Sequence, residues 1–123
     1  MKTWIGALAL VGALASGSAT ALDGNGLLSS CQTTIKYSEG DKNISPFDVG
    51  QCTGMVDGVE GAIFVLNDSV TSKMKTCSPA DGTTNIQKAR IVVKYLQEHP
   101  DQLHLPASML TVIAYMGAFP CKK

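Results

Sequence analysis

Three sets of residues in this sequence have types that carry chemistry: four cysteines, two histidines and one close pair of carboxylates. The cysteines are Cys31, Cys52, Cys77 and Cys121, with no C-x-x-C pair among them. Thiolate zinc sites are built from such pairs, so this spacing argues against a metal. An even number of cysteines in a small exported domain reads instead as a disulfide framework. An oxidised cysteine is not a thiolate, so none of the four is expected to act as a nucleophile. His99 and His104 share one loop without a third ligand at metal spacing. Asp57 and Glu60 lie one helical turn apart. A carboxylate pair can perform acid–base work, but this one lies opposite the Met55–Val59 stripe and reads as a solvated polar face. There is no phosphate-binding loop, nucleotide fingerprint or nucleophile elbow. The expectation is a protein that is not an enzyme and takes no cofactor and no metal. That leaves binding.

What must position these residues begins with export. Residues 1–21 hold one basic residue, Lys2, an apolar run from Trp4 to Ala15, and small residues ending in Ala19-Thr20-Ala21. This is the pattern of a cleaved signal peptide, and the run is short of the roughly 20 apolar residues a spanning helix needs. Residues 22–123 then form one domain, with no membrane anchor once the leader is removed. Removing Lys2 leaves nine basic and ten acidic residues. Without a basic excess, nucleic acid is not an expected partner. Leader and cysteines together point to the periplasm.

Helical periodicity runs through the rest. Leu27, Leu28, Cys31 and Ile35 mark a first helix over residues 26–38. Ser45-Pro46-Phe47-Asp48 opens a second, with Ser45 as cap, Pro46 at the first position and Asp48 in the first turn. Its apolar period continues through Val56, Val59, Ile63, Leu66 and Val70 to Met74, and Lys73 and Lys75 suit its negative end. Gly50, Gly54 and Gly58 recur every fourth residue. Each costs about 1 kcal/mol relative to alanine, which suggests either close approach to another backbone or an irregular first turn. Thr84-Asn85-Ile86-Gln87 is a capping box for a third helix, which stops near His99 because Pro100 follows. Pro106 opens a last helix whose residues 107–119 are almost all apolar. A helix apolar all round is buried on every side, so it is expected at the centre. No alternating strand pattern is present. The fold class is all-α, a compact bundle of about four helices stapled by two disulfides.

Four cysteines allow three pairings, and spacing does not choose among them. Antiparallel helix order favours Cys31 with Cys52 and Cys77 with Cys121. The remaining exposed feature is the loop QEHPDQLHL, residues 97–105, stiffened by Pro100 and closed by Pro106. It presents Glu98, His99, Asp101, Gln102 and His104 around an apolar tip of Leu103 and Leu105. A rigid polar loop is a reasonable partner site, and these five residues are the candidate partner-binding set.

The ordered set Phe47, Gln51-Cys52-x-Gly54, Gly58, then Cys77-Ser78-Pro79, then Val92-Val93-Lys94-Tyr95-Leu96-x-x-His99-Pro100, then Ala118-Phe119-Pro120-Cys121 resembles the Rap1a/Tai family of periplasmic immunity proteins. The resemblance implies a small secreted all-α protein, commonly dimeric. It also implies binding to a peptidoglycan amidase delivered by the type VI secretion system. Such an amidase uses a cysteine–histidine pair, and the immunity protein occludes its cleft without doing chemistry. The matching positions are scaffold residues, so the toxin contacts do not transfer with them. A fold does not fix a function. The alternative is a general periplasmic stress protein or acid-activated chaperone, with the carboxylates and histidines as its trigger.

Overall fold

The computed structural model describes residues 21–122; the expected leader, apart from Ala21, lies outside them. Four helices carry the fold: α1 (Gly24–Ser38), α2 (Pro46–Leu66), α3 (Asn85–Glu98) and α4 (Ala107–Ala118). Short 3-10 turns follow α2 at Asn67–Ser69 and α3 at Pro100–Gln102. The described residues contain no strand, only isolated bridges between Asp23 and Pro106 and between Thr76 and Pro120.

Local chemistry starts each helix. Ser45 Oγ accepts from Asp48 N at 3.4 Å and Thr84 Oγ1 from Gln87 N at 3.1 Å, as the capping patterns require. Asp23 caps α1, its Oδ1 accepting from Gly26 N at 2.9 Å, so α1 begins two residues before the expected start at residue 26. Gly24 sits where no side chain fits: a Cβ there would lie 2.8 Å from Leu103 O. That close approach lets Gly24 N donate to Leu105 O at 3.0 Å and Asn25 N to Leu103 O at 3.1 Å.

The core takes Leu27 and Cys31 from α1, Cys52 and Val56 from α2, Val92 and Leu96 from α3, and Leu110 from α4, all fully buried. Each such leucine contributes roughly 2 kcal/mol of hydrophobic stabilisation. Helix α1 packs along α2 and α3 and also touches α4. Its buried face carries Ser30 and Thr34, and both hydroxyls are satisfied: Ser30 Oγ donates to Gln51 Oε1 at 2.6 Å and Thr34 Oγ1 to Ser30 O at 2.9 Å.

Two expectations are corrected. Helix α4 is not buried on every side. It packs through Ala107, Leu110, Thr111, Ala114 and Tyr115 and leaves Met109 exposed and Val112 half-exposed. Helix α2 ends at Leu66, not near Met74. The Asn67 side chain terminates the run. Its Oδ1 accepts from Thr76 N at 3.0 Å and its Nδ2 donates to Thr76 O at 3.2 Å, folding residues 67–76 into a closed loop. Val70 and Met74 continue the helical spacing but lie on that loop.

Both disulfides form as topology favoured. Cys31–Cys52, with a Cα–Cα distance of 5.0 Å, joins α1 to α2 inside the core. Cys77–Cys121, at 4.9 Å, ties the tail to the segment before α3, beside a bond from Cys77 N to Phe119 O at 2.8 Å.

Candidate functional site

Of the segment 97–105, Gln97 and Glu98 are the last residues of α3 and only residues 99–105 form the loop, which is rigid for identifiable reasons. The His99 ring stacks on Tyr95 with centroids 4.0 Å apart, and His99 Nδ1 lies 2.7 Å from Tyr95 O. Tyr95 OH donates to Gln102 Oε1 at 2.6 Å. From the other side, α1 holds the Leu103 and Leu105 carbonyls through Asn25 N and Gly24 N, and Asn25 Nδ2 adds a bond to Leu103 O at 3.2 Å. Of the five candidate residues, Glu98, Asp101 and His104 therefore face solvent, while His99 and Gln102 are half-buried and turn polar groups inward. Leu103 and Leu105 do not form an exposed tip; they pack against the core. Glu98 pairs with Lys94 at 4.0 Å, an exposed i,i+4 contact of little energetic weight.

The carboxylate pair has a partner the sequence did not reveal. Lys88 on α3 is 2% exposed. Its Nζ donates to Glu60 Oε2 and, at 3.3 Å, to Asp57 Oδ1. Thr83 Oγ1 donates to the other Glu60 oxygen at 3.0 Å. The ammonium is thus compensated where burial would otherwise forbid it, and the two acids clamp α2 onto α3. Alternation along α3 marks Lys88 only as a polar residue; nothing local signals that its side chain is enclosed. Tyr115 lies nearby, its hydroxyl donating to Val56 O at 2.7 Å. Burial pushes its phenol well above the ordinary value, and Glu60 and Asp57 push it further.

The C-terminal end of α2 is the most apolar exposed surface described. Phe64, Val65 and Leu66 are 86, 74 and 54% exposed. On one side an apolar groove of about 260 Å³ runs between Val59, Ile63 and Leu66 of α2, Met74 of the following loop and Val112 of α4. On the other, an open cleft of about 990 Å³ separates α2 from residues 76–82. Both face outward. Gly50, Gly54 and Gly58 also face open space: a Cβ at any of them would meet nothing within 4 Å, so no helix of this chain lies against them. Nor is α2 interrupted there. Among the described residues, no group of three or more His, Cys, Asp or Glu side chains is placed to hold a metal ion.

The model for the Rap1a immunity proteins matches residues 23–121, spanning all four helices and both disulfides. The chain belongs to this family. Membership of the Rap1a immunity proteins implies binding to a cognate effector. No curated protein and no solved structure matches the chain significantly. In this Rap1a protein three features stand out: the anchored loop, the buried Lys88 clamp and the apolar end of α2.

Proposed function

We propose that this protein is a periplasmic immunity protein that binds a type VI secretion peptidoglycan amidase and occludes its active site, doing no chemistry itself. The observation that carries this reading is the family match over residues 23–121. The surface supports it. The 97–105 loop is held in one conformation before binding, so little ordering entropy is spent on complex formation. Glu98, Asp101 and His104 present polar groups from it, with His99 and Gln102 fixing its shape. Two disulfides fit an oxidising compartment, in keeping with the leader expected at residues 1–21.

A homodimer accompanies this reading. The groove along Val59, Ile63, Leu66 and Val112 has no charged lining residue, and Met109, one turn before Val112 on α4, is exposed. A second copy would cover this face with the same apolar surface, as two-fold interfaces do.

The test is a pull-down with mature, oxidised protein from its own envelope extract, followed by a peptidoglycan-cleavage assay. A single amidase recovered in equal amount, and silenced by the protein, is the expected result. The exposed Phe64-Val65-Leu66 run also favours the chaperone-like reading. Recovery of many unrelated envelope proteins, increasing as pH falls, would replace the immunity reading with that one.

A further inference from the structure

The bond that ties the tail to the segment before α3 has a chemistry that partner binding does not use. Of the two disulfides, Cys31–Cys52 is fully buried. Cys77 is exposed and lines the open cleft beside α2, and Cys121 is half-exposed. Solvent therefore reaches one disulfide of the folded protein and not the other. The two residues of the accessible bond are also held differently. Thr76, next to Cys77, is fixed to the end of α2 by both polar atoms of the Asn67 side chain, at 3.0 and 3.2 Å. Cys121 lies on the tail beyond α4. Apart from the disulfide, the described tail meets residues 76–77 through the bond from Cys77 N to Phe119 O and the isolated bridge of Thr76 with Pro120. Cys77 is thus a stationary sulfur at an open wall, and Cys121 a sulfur that can recoil with its tail.

We propose that Cys77–Cys121 is a thiol–disulfide exchange site of the folded protein, which takes a dithiol as its partner and works as a reversible clasp on the tail. One thiolate of the dithiol attacks Cys77 Sγ through the cleft. The bond between the two Sγ atoms breaks, a mixed disulfide forms at Cys77, and Cys121 leaves as a thiolate that takes up a proton. The second thiol of the partner then displaces Cys77 in the same way. The partner ends as a disulfide, having given up two electrons, and the two protons of its thiols are balanced by those gained at Cys77 and Cys121. A partner already in the disulfide form runs the same steps backwards and closes the clasp. The core takes no part. Helix α4 stays on α2 through the Tyr115 hydroxyl and Val56 O, and Cys31–Cys52 stays sealed. This chemistry is separate from effector binding and does not depend on it.

The test uses mature, oxidised protein. A short pulse of glutathione, quenched with acid and mapped by mass spectrometry, should place the adduct on Cys77 and leave Cys121 a free thiol. Dithiothreitol should open this pair on the order of a thousandfold faster than Cys31–Cys52, because a sealed disulfide reacts only through global opening. The rate at Cys77–Cys121 should not change in urea below the unfolding transition. In the reduced protein the Cys77 amide should lose its protection from hydrogen exchange while Val92 and Leu96 keep theirs, and oxidised glutathione should restore it. An adduct chiefly on Cys121 overturns the assignment of the attacked sulfur. Opening that accelerates with urea in step with unfolding, or loss of Val92 protection on reduction, shows that the bond breaks only with the fold and overturns the site. A Cys77 amide as protected after reduction as before means that the tail stays in place, and overturns the clasp.

Discussion

The hydroxyl of Tyr115, in α4, donates to the backbone carbonyl of Val56, in α2, at 2.7 Å across 59 residues of sequence. This bond ties the last helix to the second inside the core, and burial keeps the phenol protonated far above its ordinary range. In the unfolded chain a tyrosine ionises near about pH 10. Above that pH the unfolded state releases a proton the folded state retains, so stability falls as pH rises; below it the contribution is fully present. Tyr115→Phe should cost about 1 kcal/mol at neutral pH and flatten the alkaline fall. Urea unfolding across pH 7 to about 11 checks both. An alkaline limb of equal slope in the variant would refute the assignment.

Lys88 and Glu60 should behave as a unit. Glu60→Gln leaves a buried ammonium with Asp57 as its only carboxylate and should destabilise by roughly 3 kcal/mol. Lys88→Met removes the buried charge and fits an apolar stem, so adding it to Glu60→Gln should recover part of the loss. Chemical denaturation of the two single variants and the double variant measures the coupling. Additive losses would mean the clamp does not exist in solution.

The two disulfides differ in access. Cys31 and Cys52 are fully buried, whereas Cys77 is exposed and Cys121 half-exposed. Thiol exchange needs attack on an accessible sulfur, so limited dithiothreitol should open Cys77–Cys121 first, as read by alkylation and peptide mapping. Paired serines at these positions should lower stability by about 3–4 kcal/mol and free the tail beyond α4.

Charge reversal on the loop tests the partner contacts directly. Glu98→Lys and Asp101→Lys alter exposed side chains that no core group depends on. Stability should change by no more than about 0.5 kcal/mol, while inhibition of the amidase should weaken by tenfold or more. Inhibition equal to that of the unaltered protein would move the contact surface away from this loop.

The apolar face should hold two copies together. Leu66→Asp with Met109→Asp places charge on two exposed apolar positions near that face, and sedimentation should show the unaltered protein as a dimer and the variant as a monomer. If both sediment alike as monomers, the face does not join copies of this chain.

The sequence by itself determined whatever depends on near neighbours. Ser45 and Thr84 cap their helices because the bonded amides lie three residues away, and Pro100 ends α3 and Pro106 closes the loop that follows, wherever it sits. Four-helix order was enough to favour the cysteine pairing, since consecutive helices with short connections bring particular ends together. Helix α1 starts two residues before the expected Gly26, because Asp23 caps it and Gly24 fits against Leu103 and Leu110. Tertiary structure alone decided the rest. Val70 and Met74 keep helical spacing but leave the helix, because Asn67 finds Thr76 instead of another turn. Lys88 reads as a surface residue until two carboxylates from another helix close over it. Helix α4 is apolar on more sides than its neighbours cover, because a four-helix bundle of this size buries only one face of each member. Periodicity reports which residues prefer to be out of water; only the packed chain decides which of them have something to pack against.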